Sequence, residues 1–217
     1  MLCVSPVKRK LPTKSLYLLY FSQYITKPFL ALNKINYTKK NFVYILSIMC
    51  LFAGVLPIGP TSKGLGILLA QEGDGTDRGL WGPLGGTPHD NETPTQTAAR
   101  EAFEESMGIL GSISAIEKCI IRADMEFINA DADAYFYFVY THPNNADLIP
   151  VEFRYRRKLA LEGFIPSEKE DMEIMNLKWV FVDDVKYLPL RPSFIRSIEE
   201  GLLKKLDTLR DNQPKKG

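Results

Sequence analysis

The sequence predicts an α/β (α+β) fold in which a mixed central sheet is sandwiched between helices. Three observations predict it. Short runs rich in apolar, β-branched or aromatic residues recur at 53–58, 64–71, 134–140 and 177–182. A helix with a sharp start signal and a crowded acidic face lies between the second and third of these runs, and a helix with a single apolar stripe follows the last.

Taken in order, residues 53–58 form the first sheet strand and residues 64–71 the second, with Ile67, Leu68 and Leu69 as a short buried run. Residues 72–78, containing Gly73, Asp74, Gly75 and Asp77, predict a turn, so that the second strand doubles back towards Leu80 and Trp81. Trp81 plugs the core or flanks a substrate pocket. Thr93, Pro94 and Gln96 stand in the order of a helix start: a threonine cap, a proline at the first helical position, and a glutamine reaching back to the cap. The helix is predicted over 94–107. Residues 115–122 predict a strand, and Asp131 and Asp133 bracket a turn before the aromatic strand 134–140, too rich in β formers for a helix. Its aromatic rings suit either a base-stacking platform or ordinary packing of alternate faces, and packing is favoured. Residues 143–150 predict a polar loop and 151–161 a strand edge bearing Arg154, Arg156, Arg157 and Lys158. Glu168, Glu170, Asp171 and Glu173 precede the strand at 177–182, which Asp183 and Asp184 end. Pro192 opens a closing helix whose Ile195, Ile198, Leu202, Leu206 and Leu209 make one stripe.

Charge is unevenly distributed. Residues 1–71 carry nine Lys or Arg and no Asp or Glu, whereas the other 146 residues carry 18 basic and 26 acidic side chains, a net charge of −8. Cys3, Cys50 and Cys119 lie far apart with no Cys-x-x-Cys spacing, which argues against a zinc cage or a disulfide framework and for a reducing compartment. His89 and His142 are the two histidines, so histidine-based catalysis is poorly supplied.

The chemistry concentrates at 86–109. Gly86 is followed after five residues by Glu92 and after seven more by Arg100-Glu101-Ala102-Phe103-Glu104-Glu105, then Ser106, Met107, Gly108 and Ile109. On a helix, Glu101, Glu104 and Glu105 stand at i, i+3 and i+4, so their carboxylates share one face. Three like charges on one face repel unless a hard divalent cation with oxygen ligands offsets them, and magnesium is the first expectation, with manganese as an alternative. The bland reading is a solvated helix face; Gly85-Gly86, Glu92 and the cap favour a metal site. The basic cluster offers paired hydrogen bonds to substrate phosphates through Arg154 and Arg156, or else is a solvated strand edge.

This pattern resembles the signature of the Nudix hydrolases, in which a glycine, a glutamate and an Arg-Glu-x-x-Glu-Glu run precede a closing glycine and an aliphatic residue. Two departures stand out: Ser106 and Met107 both precede Gly108 where one residue is usual, and Leu84 separates Pro83 from Gly85-Gly86. The extra residue follows the last carboxylate and leaves all three carboxylates in register. The resemblance implies an α-β-α sandwich and a magnesium-dependent hydrolase that cleaves the diphosphate linkage of a nucleoside diphosphate joined to another moiety. It implies metal ligands at Glu101, Glu104 and Glu105, with Arg100 tethering Glu104. It also implies a ligand or base from the acidic loop, for which Glu173 is the first choice and Glu170 the second; Glu105 is the other candidate base. Gly85 and Gly86 would let the backbone pass close to helix and substrate. An mRNA decapping enzyme and a non-catalytic nucleotide-sensing or protein-docking module are the alternatives. An RNA partner is unsupported by any interleaving of aromatic and basic residues, and the substrate and oligomeric state are not legible.

The organisation expected is a basic, acid-free extension over 1–48, a catalytic domain over 49–210 and a loose tail over 211–217. Residues 42–58 form an apolar run at the short limit for a membrane span, interrupted by Gly54 and Pro57. It cannot both anchor in a bilayer and supply the first strand. A cytoplasmic protein with a dispensable extension is favoured; a membrane-anchored or organelle-targeted form is the alternative.

Overall fold

The computed structural model describes residues 50–123, 125–130, 133–142, 146–166 and 172–211. Of the chain's two units, residues 1–42 and 43–217, only the second contains described residues, and the extension expected over 1–48 lies outside them, as do Glu168, Glu170 and Asp171.

Strand β1 (Phe52–Thr61) is the centre of a seven-stranded mixed sheet. On one edge it runs parallel to β6 (Ala134–Tyr140) from Phe52↔Ala134 to Ile58↔Tyr140. Its other edge is divided. The first part pairs antiparallel with β4 (Leu84–Gly86), and the last part forms a tight hairpin with β2 (Gly64–Glu72). β2 continues the sheet to β3 (Trp81–Gly82) and β7 (Ile174–Phe181), and β5 (Glu126–Asn129) edges β6. Phe52 and residues 53–58, the C-terminal part of the apolar run, therefore lie in the sheet; residues 42–49 lie outside the described residues. Among the described residues no helix is long and apolar enough to cross a membrane.

Strand alternation divides the core in two. Ala53, Val55, Leu68, Ala70 and Tyr137 face α1 (Pro94–Glu105), α2 (Ile113–Ala123) and α3 (Leu148–Leu161). Leu56, Ile58, Ile67, Leu69, Phe136 and Phe138 face α4 (Pro192–Glu199) and α5 (Leu202–Asp211). The result is the predicted α-β-α sandwich. α1 meets the sheet through Ala98, Ala99 and Ala102, all fully buried; small side chains let the helix lie close to β1 and β4, which is what brings its carboxylates to the backbone.

Three expectations are corrected. Residues 115–122 are not a strand but most of α2: Ile116 and Ile120 recur at i, i+4 and are buried, and packing that helical face on the sheet overrides the β preference of isoleucine. Residues 151–161 are not a strand edge but α3, in which Ile149 and Phe153 are the buried i, i+4 pair. The closing helix is two helices, interrupted at Gly201, whose φ of 113° ends α4. Leu202 and Leu206 are fully buried, whereas Ile195 is 40% exposed and lies off the stripe. Trp81, by contrast, is buried in the core.

Candidate active site

α1 begins as its sequence predicts. The Thr93 side chain accepts from the Gln96 N–H at 3.3 Å and the Gln96 side chain accepts from the Thr93 N–H at 3.0 Å, closing a reciprocal cap around Pro94. The helix ends at Glu105, two residues earlier than expected. Met107 and Gly108 then take consecutive left-handed conformations (φ 54° and 73°), and the Gly108 N–H returns to the Phe103 carbonyl at 2.7 Å. The extra residue of the motif is thus absorbed after the last carboxylate.

Arg100 gathers the acidic groups. Its Nε and Nη2 donate to the two oxygens of Glu92 at 2.8 and 3.1 Å, while Nη1 donates to both Glu101 and Glu104 at 2.8 Å. Nη2 also reaches the Thr87 carbonyl at 3.2 Å. Glu92 accepts further hydrogen bonds from the His89 N–H and the Thr97 hydroxyl. The Arg100 hydrogen bonds, outweighing partial burial, hold its carboxyl at a pKa of about 2. Glu92 is therefore a fixed anion that locks the loop before α1, and Arg100 holds three glutamates rather than the single one the resemblance implied.

Glu105 differs. It is buried, and its Oε2 accepts from the Gly85 N–H at 2.7 Å. Desolvation pushes its pKa well up; Arg191 opposes this, while the neighbouring charges of Glu101 and Glu72 add to it. Burial raises Glu101 likewise, against Arg100, with further contributions from Glu104 and Glu173. Glu173 contributes electrostatically to the raised pKa of Glu101 and of Glu72. The register between β2 and β7 skips Met175, which sets Glu72 opposite Ile174, and the Gly73 N–H donates to the Glu173 carbonyl at 2.6 Å.

The glycines have separate jobs. A Cβ at Gly86 would lie 2.5 Å from Glu101 Oε1; one at Gly85 would lie 2.4 Å from the Gly54 Cα and 2.6 Å from the Ala53 carbonyl. Gly86→Ala meets the movable end of a side chain and is expected to reduce divalent-cation binding while leaving the melting temperature within a few degrees. Gly85→Ala meets backbone and is expected to cost about 1–3 kcal/mol of stability. Thermal denaturation and calorimetric titration with magnesium check the pair.

The basic cluster is dispersed around α3. Arg156 pairs with Glu152 at 2.6 Å and donates to the Met107 carbonyl at 2.9 Å, bracing the exit of α1; Arg157 donates to the Ile174 carbonyl. Arg154 is exposed. A helix turns successive residues through about 100°, so Arg156 lies about 200° around α3 from Arg154 and the two point to opposite sides, while Arg157 and Lys158, at i+3 and i+4, share the side of Arg154.

Two residues of the site escaped sequence reasoning. Glu72 ends β2 with the same parity as Leu68 and Ala70, which marks it for the α1 face although its neighbours Gly73 to Asp77 signal a turn. Arg191 directly precedes a helix opened by Pro192, an electrostatically poor place for a cation, and that oddity was the available signal.

The donor set suits a hard cation: oxygen ligands only, two carboxyls whose burial disfavours their charged form, and a Glu101–Glu104 pair already sharing one cationic group, Arg100 Nη1. Among the described residues no three such side chains stand together in ligating geometry.

A NUDIX domain family model matches residues 52–200. The chain belongs to the Nudix family. Two Mycobacterium tuberculosis proteins (strains CDC 1551 / Oshkosh and H37Rv), both named "Putative 8-oxo-dGTP diphosphatase 3", are 27% identical to it over 147 residues. The match covers 67% of this chain and 58% of theirs, so the chain spans little more than half the length of these Nudix relatives. Similar solved structures include RenU, a Nudix hydrolase of M. smegmatis, at 19% identity over 75% of this chain and 87% of that one, with a TM-score of 0.39. A C. elegans Ap4A hydrolase binary complex is 15% identical, covers 73% and 96% of the two chains and has a TM-score of 0.45.

Proposed function

We propose that this Nudix chain is a divalent-cation-dependent pyrophosphohydrolase that cleaves the diphosphate linkage of a nucleoside diphosphate joined to another moiety. The observation that carries the proposal is the placement of Glu105 on the Gly85 N–H and of Glu101 against Gly86, with Glu104 tied to Glu101 through Arg100 Nη1. Glu101, Glu104 and Glu105 would hold magnesium, or manganese in its place. When bound, the cation would neutralise charge on the phosphate oxygens and lower the pKa of a coordinated water.

The protein groups have distinct tasks. Arg100 orients Glu101 and Glu104 through one nitrogen. Glu105, anchored through Oε2, has its other oxygen available either to hold the cation or to accept a proton from the attacking water. Glu173 is the second candidate for that step. Space for the rest of the substrate lies on the same sheet face: a cavity of about 420 Å³ is lined by Val55, Pro57, Ile109, Val139, His142 and Leu148, among others. Along β1 it starts two to four residues from Ala53, which pairs with Gly86; at about 3.3 Å per residue this is roughly 7–13 Å along the strand from that pairing, a span a diphosphate and a sugar can bridge.

A substrate panel with magnesium tests the proposal: ADP-ribose, a nucleotide sugar, a dinucleoside polyphosphate, 8-oxo-dGTP and a capped RNA. Cleavage of at least one diphosphate linkage is expected, and none from any member would overturn it. On the best substrate, Glu173→Gln is expected to lower kcat with KM nearly unchanged, because a group acting on water is felt in the transition state rather than in the ground state.

A further inference from the structure

Arg191 is a charged side chain of the site that neither the motif nor the proposed chemistry employs. Its backbone N–H donates to the Trp81 carbonyl at 2.9 Å, and Trp81 in turn donates to the Pro189 carbonyl at 2.8 Å, so residues 189–191 run alongside β3. From there the guanidinium folds over the sheet. Nη2 donates to the Pro83 carbonyl at 2.7 Å and Nη1 to Glu72. Nε lies directly above Gly82, where a Cβ would stand 2.1 Å away. The side chain is 11% exposed.

The segment it grips is held at one end by the pairing of Gly82 with Ala70 of β2 and at the other by the pairing of β4 with β1, with Pro83 between them. Of residues 82–86, only Pro83 and Leu84 carry side chains, so the path of this backbone is set by hydrogen bonds. Between these two pairings Arg191 holds the Pro83 carbonyl, two residues before the Gly85 N–H that donates to Glu105. The same guanidinium holds Glu72, the carboxylate whose charge also bears on Glu105.

We propose that Arg191 is a positioning residue: by clamping the Pro83 carbonyl and Glu72 in one planar fork, it fixes the Gly85 N–H and through it the Glu105 carboxylate. The inference rests on the active-site reading above. Planarity matters, because an ammonium can replace the charge of a guanidinium but not its fixed pair of donors. Substitution should therefore loosen the Gly85–Glu105 contact locally, and a displacement of about 1 Å at a reacting group can cost about 10²-fold in rate.

The test compares the wild type, Arg191→Gln and Arg191→Lys by amide hydrogen exchange and steady-state kinetics. In Arg191→Gln the Gly85 amide is expected to exchange at least about 10-fold faster relative to the Phe138 amide, a reference hydrogen-bonded to the Met125 carbonyl. Its kcat is expected to fall by about 10- to 100-fold with KM within about twofold of wild type. Arg191→Lys is expected to fall between the two, and it decides the matter should the glutamine variant not fold. Equal acceleration at Gly85 and Phe138, unchanged exchange at Gly85, or an unchanged kcat would overturn the proposal. If the wild type hydrolyses no member of the panel, the pyrophosphohydrolase reading fails, and the Gly85-to-Phe138 exchange ratio still decides whether Arg191 positions the contact.

Discussion

Glu105→Gln is expected to lower turnover by about 10²- to 10⁴-fold while leaving the protein folded. The amide keeps the size of the side chain and an oxygen to accept the Gly85 N–H, but it can neither take a proton nor carry charge to a cation. A second effect has the opposite sign. Because burial raises the folded-state pKa of Glu105 above its ordinary value of 4.5, the folded protein binds more protons than the unfolded chain between those two values. The stabilisation this provides is fully present below pH 4.5 and is lost as pH rises through the folded-state value. At neutral pH without divalent cation, Glu105→Gln should therefore melt higher than the wild type, and the difference should shrink on acidification. Melting curves across pH 4–8, with activity measured in parallel, check both parts. A variant that is both less stable at neutral pH and fully active would contradict the assignment.

A chain beginning at Gly59 is expected not to fold, whereas one beginning at Met49 is expected to fold and to be active. The first loses most of the central strand. Val55, Leu56 and Ile58 are at most 1% exposed, and fully burying such side chains stabilises by about 1.5–3 kcal/mol each. That loss alone is comparable with the total stability of a typical domain, about 5–15 kcal/mol. It also strips partners from β2, β4 and β6 together. Circular dichroism and size-exclusion chromatography of the two chains decide the point. An unfolded or inactive chain starting at Met49 would show that the residues before it belong to the working protein.

The parts of the fold that were legible in the sequence are those where a local signal agrees with the tertiary outcome. The cap at Thr93 fixes where α1 starts, and the apolar runs of β1, β2, β6 and β7 are too dense for a loop. α2 and α3 were misread because Ile-rich and Tyr/Phe/Val-containing segments favour strands in isolation; the buried pairs Ile116–Ile120 and Ile149–Phe153 carried the helical spacing that packing selects. β3 and β4 span two and three residues and are largely glycine, leaving no periodicity to detect. The motif placed Glu101, Glu104 and Glu105 on one face through helix geometry alone. It could not disclose Glu72 or Arg191, which enter from the end of β2 and the start of α4 and meet the motif helix only once the sheet has formed.

Turnover of the best panel substrate, titrated with magnesium in the wild type and in Glu104→Gln side by side, decides whether the motif carboxylates hold a catalytic cation. Wild-type activity is expected to be abolished by chelation and restored by magnesium, and Glu104→Gln to stay below a few per cent of wild type even at saturating cation. Activity that survives chelation, or a Glu104→Gln variant that turns over at a near-normal rate, would contradict that role.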